Sequence, residues 1–379
     1  MEHLLNPRVK EIELSGIRKF YNMVADIDNV ISLTIGQPDF HTPLHIKEKS
    51  IEAINHNLTT YTHNAGTPEL RNAISSFVNR QYELEYRPED EIIVTIGASQ
   101  AIDITFRTIL CAGDEVILPG PVYPGYEPLI KLTGAIPVYA DVRNNGFKIT
   151  AEILKDKITA KTKCIVLPYP SNPTGISLTA EELSDIADLI RGKDIFILAD
   201  EIYSELTFDR PHVSIGKFLK EQSIIINGLS KSHAMTGWRI GYVLAPASIA
   251  KHILKVHQYN VSCASSISQA AALEALTKGI HDPEDMKNEY KTRRDYVYAR
   301  LKKMGLETIL PDGAFYFFVK IPTGYLSSLD FALDLVKSGK VAVVPGSAFS
   351  EYGEGYFRLS YAVSMEQLEK GLNQIENFL

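Results

Sequence analysis

Cysteine is scarce: 379 residues hold three, Cys111, Cys164 and Cys263, far apart and with no C-x-x-C pair. That excludes a disulfide framework and a thiolate zinc site, and it suits a reducing compartment. Long apolar runs are lacking too. Segments such as Ile195 to Ala199 are far too short to cross a bilayer, and Met1 to Lys10 is polar, without the apolar stretch of a signal peptide. A cytoplasmic location is expected, with no membrane partner. Positive charge is not in excess: 39 Lys and Arg stand against 46 Asp and Glu, a net charge of −7. A non-specific binder of nucleic acid shows the opposite balance, so no nucleic-acid partner is expected. A small anionic substrate would then have to be met by a few placed cations. No G-x-G-x-x-G follows a strand, which removes the main support for a nicotinamide dehydrogenase. Internal repeats, low-complexity tracts and linkers rich in Gly or Ser are absent as well.

What is present is an alternation. Strand-like runs at Glu91–Ile96, Glu115–Leu118, Ile136–Ala140, Lys163–Leu167, Ile195–Ala199, Ser223–Asn227 and Arg239–Leu244 are separated by helical patterns. Several runs are continuously Val, Ile or Leu, as strands covered on both faces of a parallel sheet must be. Ile102, Phe106, Ile109 and Leu110 share one face of a helix after Ser99, and Thr179 with Glu182 predicts a capping box. The last third differs. A charged helical stretch near Asp285–Met304 precedes a strand at Ala314–Lys320, another helix, Phe357–Tyr361, and a final helix capped by Ser364 and Gln367. The expected architecture is α/β, a mostly parallel sheet in a large domain at 45–275, with a smaller α+β domain from 1–44 and 276–379. Any ligand should then sit beyond the carboxyl ends of the strands.

Five strand ends carry candidate chemistry. Asp200 and Tyr203 follow one strand, Ser171 to Gly175 with Asn172 a second, and Lys231 a third. Gly97-Ala98-Ser99 opens a helix whose free N–H groups could hold a phosphate. Pro121 and Tyr123 follow the strand at 115–118. Arg358 lies inside a strand-like run, where an unpaired charge is costly and a carboxylate partner plausible. Each signal alone reads equally well as a turn, a helix cap, a packed tyrosine or a solvated lysine. Together they match the needs of pyridoxal phosphate: an imine lysine, an acid for the pyridine nitrogen, a phosphate cup, a stacking ring, and a guanidinium fork for an amino acid's carboxylate.

The stretch Gly228-Leu229-Ser230-Lys231-Ser232-His233-Ala234-Met235-Thr236-Gly237-Trp238-Arg239-Ile240-Gly241 resembles the lysine signature of the class-I, fold type I aminotransferases. The resemblance runs from Gly36-Gln37-Pro38-Asp39 to Arg358. It implies that Lys231 holds pyridoxal 5'-phosphate as a Schiff base and shuttles the proton. By the same resemblance Asp200 keeps the pyridine nitrogen protonated, Tyr203 bonds the ring hydroxyl, and Asn172 supports that oxygen and the substrate carboxylate. Ala98, Ser99, Gln100 and Arg239 would hold the phosphate, and Tyr123 would stack on the ring. Arg358 would clamp the α-carboxylate beside the Gly36 backbone. Tyr61, in Tyr61-Thr62-His63-Asn64-Ala65-Gly66, resembles the tyrosine that reaches a neighbouring subunit's phosphate, which implies a homodimer with shared active sites. Pro121 and Pro173 match prolines that follow cis bonds. One departure is Gly228, where many relatives carry a serine that contacts the phosphate.

The implied activity is transfer of an amino group between an L-amino acid and a 2-oxo acid, with 2-oxoglutarate and glutamate as one pair. Gly120 to Tyr126 and Tyr259 to Ser266 look like bacterial aminotransferase A, a subfamily similar to the N-acetyl-L,L-diaminopimelate aminotransferases of lysine biosynthesis. Aspartate or aromatic amino acids are alternative donors. A C–S β-lyase would use nearly the same residues, so spacing does not separate the two. A coenzyme-binding regulator on this fold would carry a DNA-binding domain ahead of it, whereas here the motifs begin by residue 36 and the chain is acidic.

Overall fold

The computed structural model describes residues 1–379. Twelve strands follow one another along the chain: β1 (Ile31–Ser32), β2 (Ile92–Thr95), β3 (Glu115–Gly120), β4 (Ile136–Asp141), β5 (Thr162–Leu167), β6 (Phe196–Asp200), β7 (Ser223–Gly228), β8 (Gly241–Leu244), β9 (Tyr316–Lys320), β10 (Val341–Ala342), β11 (Val344–Pro345) and β12 (Tyr356–Ser360). Seven of them form one sheet in the order β2-β8-β7-β6-β5-β3-β4. Only β8 runs against its neighbours β2 and β7, so the sheet is mostly parallel, as expected from the apolar runs.

Those runs are apolar because the sheet is covered twice. Side chains alternate across a strand. Ile165, Ile197 and Ile225 therefore pack with Leu183, Ile186 and Ile190 of the helix Ala180–Ile190. Cys164, Val166, Leu198, Ile224 and Ile226 pack on the other face with Phe106 and Ile109 of the helix Gly97–Ile109. Burying each such side chain contributes about 1.5–3 kcal/mol. The expected capping box is complete, Thr179 N–H donating to Glu182 at 2.7 Å and Glu182 N–H to Thr179 Oγ1 at 3.2 Å. Ser364 accepts from Gln367 N–H at 3.3 Å, without a reciprocal side-chain bond from Gln367.

A second sheet, β11-β12-β9, is antiparallel. Its apolar side chains, among them Phe317, Val319, Phe357 and Leu359, pack with Tyr290, Val297 and Leu301 of the helix Pro283–Lys303 and with Leu368, Leu372 and Ile375 of Met365–Phe378. Phe20, Val24 and Leu33 enter the same core, and β1 pairs in parallel with β10. Two strand starts differ by two residues from the sequence expectation. β8 begins at Gly241 rather than Arg239, because Arg239 takes a left-handed conformation (φ 51°) after the short helix Thr236–Trp238. β9 begins at Tyr316 rather than Ala314, whose φ of 58° is equally incompatible with a strand.

The two sheets meet at the loop after β5. Gly175 has φ +70°, and a Cβ there would lie 2.9 Å from the Tyr316 carbonyl oxygen and 3.0 Å from that of Gly313. Its carbonyl accepts Gly313 N–H at 2.9 Å. Gly175→Ala is therefore expected to destabilise the protein by about 2–4 kcal/mol, from left-handed backbone strain plus the clash. Urea denaturation checks this, and unchanged stability would contradict the tight docking of this loop.

Candidate active site

The carboxyl ends of the parallel strands open into a cavity of about 820 Å³. Its walls hold Gly36, Ala98, Ser99, Tyr123, Asn172, Asp200, Tyr203, Lys231, Arg239 and Arg358, ten of the twelve residues singled out from the sequence. Two loops that frame it contain cis peptide bonds: Gly120-Pro121 after β3, and Tyr169-Pro170 and Asn172-Pro173 after β5, of which Gly120-Pro121 and Asn172-Pro173 were expected.

Asp200 closes β6 and is buried. Tyr126 Oη donates to its Oδ2 at 2.6 Å, and Ile202 N–H reaches Oδ1 at 3.3 Å. Burial pushes the Asp200 carboxyl above the usual carboxylate range, and these two donors oppose that. Tyr203 Oη lies 2.9 Å from Tyr316 Oη. Lys231 stands just beyond β7, half-buried, its Nζ donating to the Gly36 carbonyl at 2.6 Å and lying 5.7 and 5.8 Å from the ring centres of Tyr203 and Phe315. Burial, with the positive charges of Arg358 and Arg239, lowers its pKa to about 8, against the pull of Asp200. Roughly one lysine in ten is then the neutral, nucleophilic amine at pH 7.

Arg358 projects from the middle of β12 and is almost wholly buried. Its Nη1 donates to Asn172 Oδ1 and its Nη2 to the Thr34 carbonyl, both at 2.8 Å, while Nε has no partner. Its Cζ lies 4.3 Å from the centre of the Tyr316 ring and 4.9 Å from that of Phe349. No carboxylate of the protein pairs with it. A buried guanidinium without a counter-ion is costly and is suited to an incoming carboxylate.

The helix Gly97–Ile109 starts at the cavity with no side-chain cap, so its first N–H groups are free for an anion. Arg239 crosses the same turn: a Cβ on Gly97 would lie 2.5 Å from its Nη2. The pyridoxal-phosphate requirements are met by this set. The uncapped helix end with Ala98, Ser99 and Arg239 suits the phosphate, Asp200 the ring nitrogen, Tyr203 the ring oxygen, and Lys231 the aldehyde. Tyr123, 37% exposed and set edge-on to Tyr126 at 5.5 Å, offers a ring face.

Two expected residues do not line the cavity. Gln100 is turned away because its amide accepts Ile96 N–H at 2.7 Å and donates to Asn260 at 3.0 Å, so its side chain shapes the turn rather than facing a phosphate. Tyr61 is 87% exposed on the surface of the single chain. Conversely, Tyr126, Tyr316, Thr34 and Ser230 reach the site unforeseen. A tyrosine three residues beyond Tyr123 and the run Phe315 to Phe318 were the available signals for the first two. Because Arg358 is the largest nearby positive charge acting on Lys231, Arg358→Gln is expected to raise the Lys231 pKa above about 8. The pH dependence of labelling by an amine reagent, in coenzyme-free protein, measures it; a lower or unchanged pKa would contradict the assigned coupling.

Comparison with known proteins agrees with this geometry. A probable N-acetyl-LL-diaminopimelate aminotransferase of Bacillus subtilis (strain 168) is 60% identical over 379 residues, covering 100% of this chain and 96% of the relative. An aspartate aminotransferase of Pyrococcus abyssi is 40% identical, covering 99% and 98%. Among solved structures, the aspartate aminotransferase of Thermus thermophilus with maleate matches with a TM-score of 0.94 at 35% identity, over 99% of each chain. The aromatic aminotransferase of Pyrococcus horikoshii matches at 0.90 and 40% identity, over 95% of this chain and 98% of its own. The family model for class I and II aminotransferases spans residues 28–375, and the chain belongs to that pyridoxal-phosphate-dependent family.

Proposed function

We propose that this aminotransferase exchanges an amino group between glutamate/2-oxoglutarate and an N-acetylated L,L-diaminopimelate, as a cytoplasmic step of lysine biosynthesis. The carrying observation is the 60% identity, over the full length of this chain, to the relative so named. Relatives named for aspartate and for aromatic amino acids are 38–40% identical, so those donors are the comparison set.

When bound, pyridoxal phosphate supplies the aldehyde that accepts the amino group and a ring that takes up the electron pair left at Cα. The chain's residues do the rest. Arg358, oriented by Asn172 and the Thr34 carbonyl, clamps the α-carboxylate and fixes which Cα bond faces the ring. Lys231 Nζ would hold the coenzyme aldehyde and would be the base positioned for the proton of the substrate Cα. Asp200, held by Tyr126, would keep a proton on the ring nitrogen. Tyr203 would bond the ring oxygen, and Ala98, Ser99 and Arg239 would hold the phosphate. We assign these roles to a large unit at 45–275, with 1–44 and 276–379 as a smaller unit that brings Arg358.

Exposed Tyr61 and Tyr259, with Leu44, Ile51, Ile54 and Leu58 on and just after the helix Leu44–Asn55, support a homodimer in which Tyr61 completes the partner's phosphate site. Three free cysteines and the lack of a helix long and apolar enough to cross a membrane are compatible with the cytoplasm.

Single-turnover absorbance on coenzyme-loaded protein tests this. Glutamate, aspartate, phenylalanine and the N-acetylated diaminopimelate are added separately without an oxo acid. Conversion of the coenzyme from its aldehyde to its amine form, fastest with the diaminopimelate derivative or glutamate, is expected. Pyruvate and ammonia from a cysteine thioether, with no such conversion, would contradict it. Asp200→Ala should lower kcat by at least about 100-fold, since roughly 2.7 kcal/mol or more of charge stabilisation is lost. Near-normal turnover in that variant would remove Asp200 from the mechanism.

A further inference from the structure

Tyr203 is the proposed donor to the coenzyme ring oxygen, yet its hydroxyl already has a partner. Tyr316 Oη lies 2.9 Å away, and both side chains are buried. One O–H of the pair must point along that line, and either oxygen could supply it. If Tyr203 gave its hydrogen to Tyr316, it would meet the ring oxygen with lone pairs only. The direction of this one bond therefore decides whether Tyr203 can serve.

The surroundings favour one direction. Tyr316 opens β9 and pairs with Ser360 of β12, while Arg358 pairs with Phe318. In an antiparallel pair that register sets Arg358 and Tyr316 diagonally on one face. The guanidinium Cζ accordingly lies 4.3 Å from the centre of the Tyr316 ring. Burial pushes the Tyr316 hydroxyl above the usual tyrosine range, and the Arg358 charge and the bond to Tyr203 oppose this. Burial pushes Tyr203 well above that range, and there the contact with Tyr316 and the charge of Asp200 add to the rise, against the pull of Arg358. Tyr316 is thus the readier donor and Tyr203 the acceptor. The other cation facing the pair is Lys231, whose Nζ lies 5.7 Å from the centre of the Tyr203 ring.

Tyr316 is also held firmly. Its ring packs edge-on to Tyr203 at 5.9 Å and tilted against Phe315 at 4.7 Å. A Cβ on Gly36 would lie 3.3 Å from its Oη, and the Gly36 carbonyl is the one that accepts Lys231 Nζ. One tyrosine of the small sheet therefore adjoins the carboxylate clamp, the ring-oxygen donor and the backbone on which the reacting lysine rests.

We propose that Tyr316 is a positioning residue for the coenzyme: its hydroxyl donates to Tyr203 Oη and so leaves the Tyr203 hydrogen for the coenzyme ring oxygen. This rests on the role proposed above for Tyr203.

The test is a pH titration of the coenzyme's visible absorbance in loaded wild type, Tyr316→Phe, Tyr203→Phe and the double variant. A donor on the ring oxygen draws charge from it and weakens its hold on the proton it shares with the Lys231 nitrogen, so losing the donor raises the midpoint. Tyr203→Phe should raise it by about one pH unit, the weight of one charge-assisted hydrogen bond. Tyr316→Phe keeps the ring beneath Arg358 and should raise the midpoint by roughly a third of a unit, through the support that Tyr203 loses. The double variant should titrate like Tyr203→Phe, because Tyr316 acts through Tyr203. An unchanged midpoint in Tyr316→Phe, or an equal rise with and without Tyr203, would overturn the inference, while the shift in Tyr203→Phe keeps the role of Tyr203 standing. No shift in Tyr203→Phe would overturn both.

Discussion

The site depends on a buried guanidinium. Arg358 sits in the middle of β12 with no protein carboxylate to balance it, held by Asn172 Oδ1, the Thr34 carbonyl and the Tyr316 ring. Those three contacts come from the loop after β5, from the N-terminal segment beyond β1, and from β9. One charged side chain therefore ties together the large sheet, the small sheet and the chain start. Removing it would leave polar partners unpaired in the place where the two sheets meet, and an anionic ligand would supply the counter-charge it lacks.

The same guanidinium reaches the reacting lysine. A lysine in water is almost wholly protonated at neutral pH and a poor nucleophile. Burial and the charges of Arg358 and Arg239 bring Lys231 down to about 8, while Asp200 opposes them. The cations proposed to bind phosphate and carboxylate thus also lower the pKa of the amine, so the proposed binding and reactivity share one electrostatic cause. Asp200 is treated in the opposite way. Burial disfavours its charge, and Tyr126 and the Ile202 N–H restore part of what burial takes.

Much of this was legible before any coordinates. Continuous apolar runs such as Ser223–Asn227 revealed doubly covered strands, and in a parallel sheet strand ends converge, so Asp200, Asn172 and Lys231 could be grouped from order alone. The lysine signature then supplied Arg239. What stayed hidden were contacts between distant residues. Arg358 meets Asn172 across 186 residues and Thr34 across 324, and Tyr203 meets Tyr316 across 113. No local period encodes such pairs. Tyr126 was hidden for another reason: an aromatic one turn beyond Tyr123 reads as packing until its hydroxyl is seen on Asp200. The direction of the Gln100 side chain was hidden because adjacency to Ser99 says nothing about it; its amide turns back to accept Ile96 N–H.

The claim on which everything rests is that Lys231, and no other lysine, carries the coenzyme. Borohydride reduction of coenzyme-loaded protein, followed by digestion and peptide mass analysis, measures it directly. The account predicts one phosphopyridoxyl adduct, on the peptide containing Ser230-Lys231-Ser232, and none in Lys231→Ala. An adduct on a different lysine, or a wild-type protein that gains none, would contradict it.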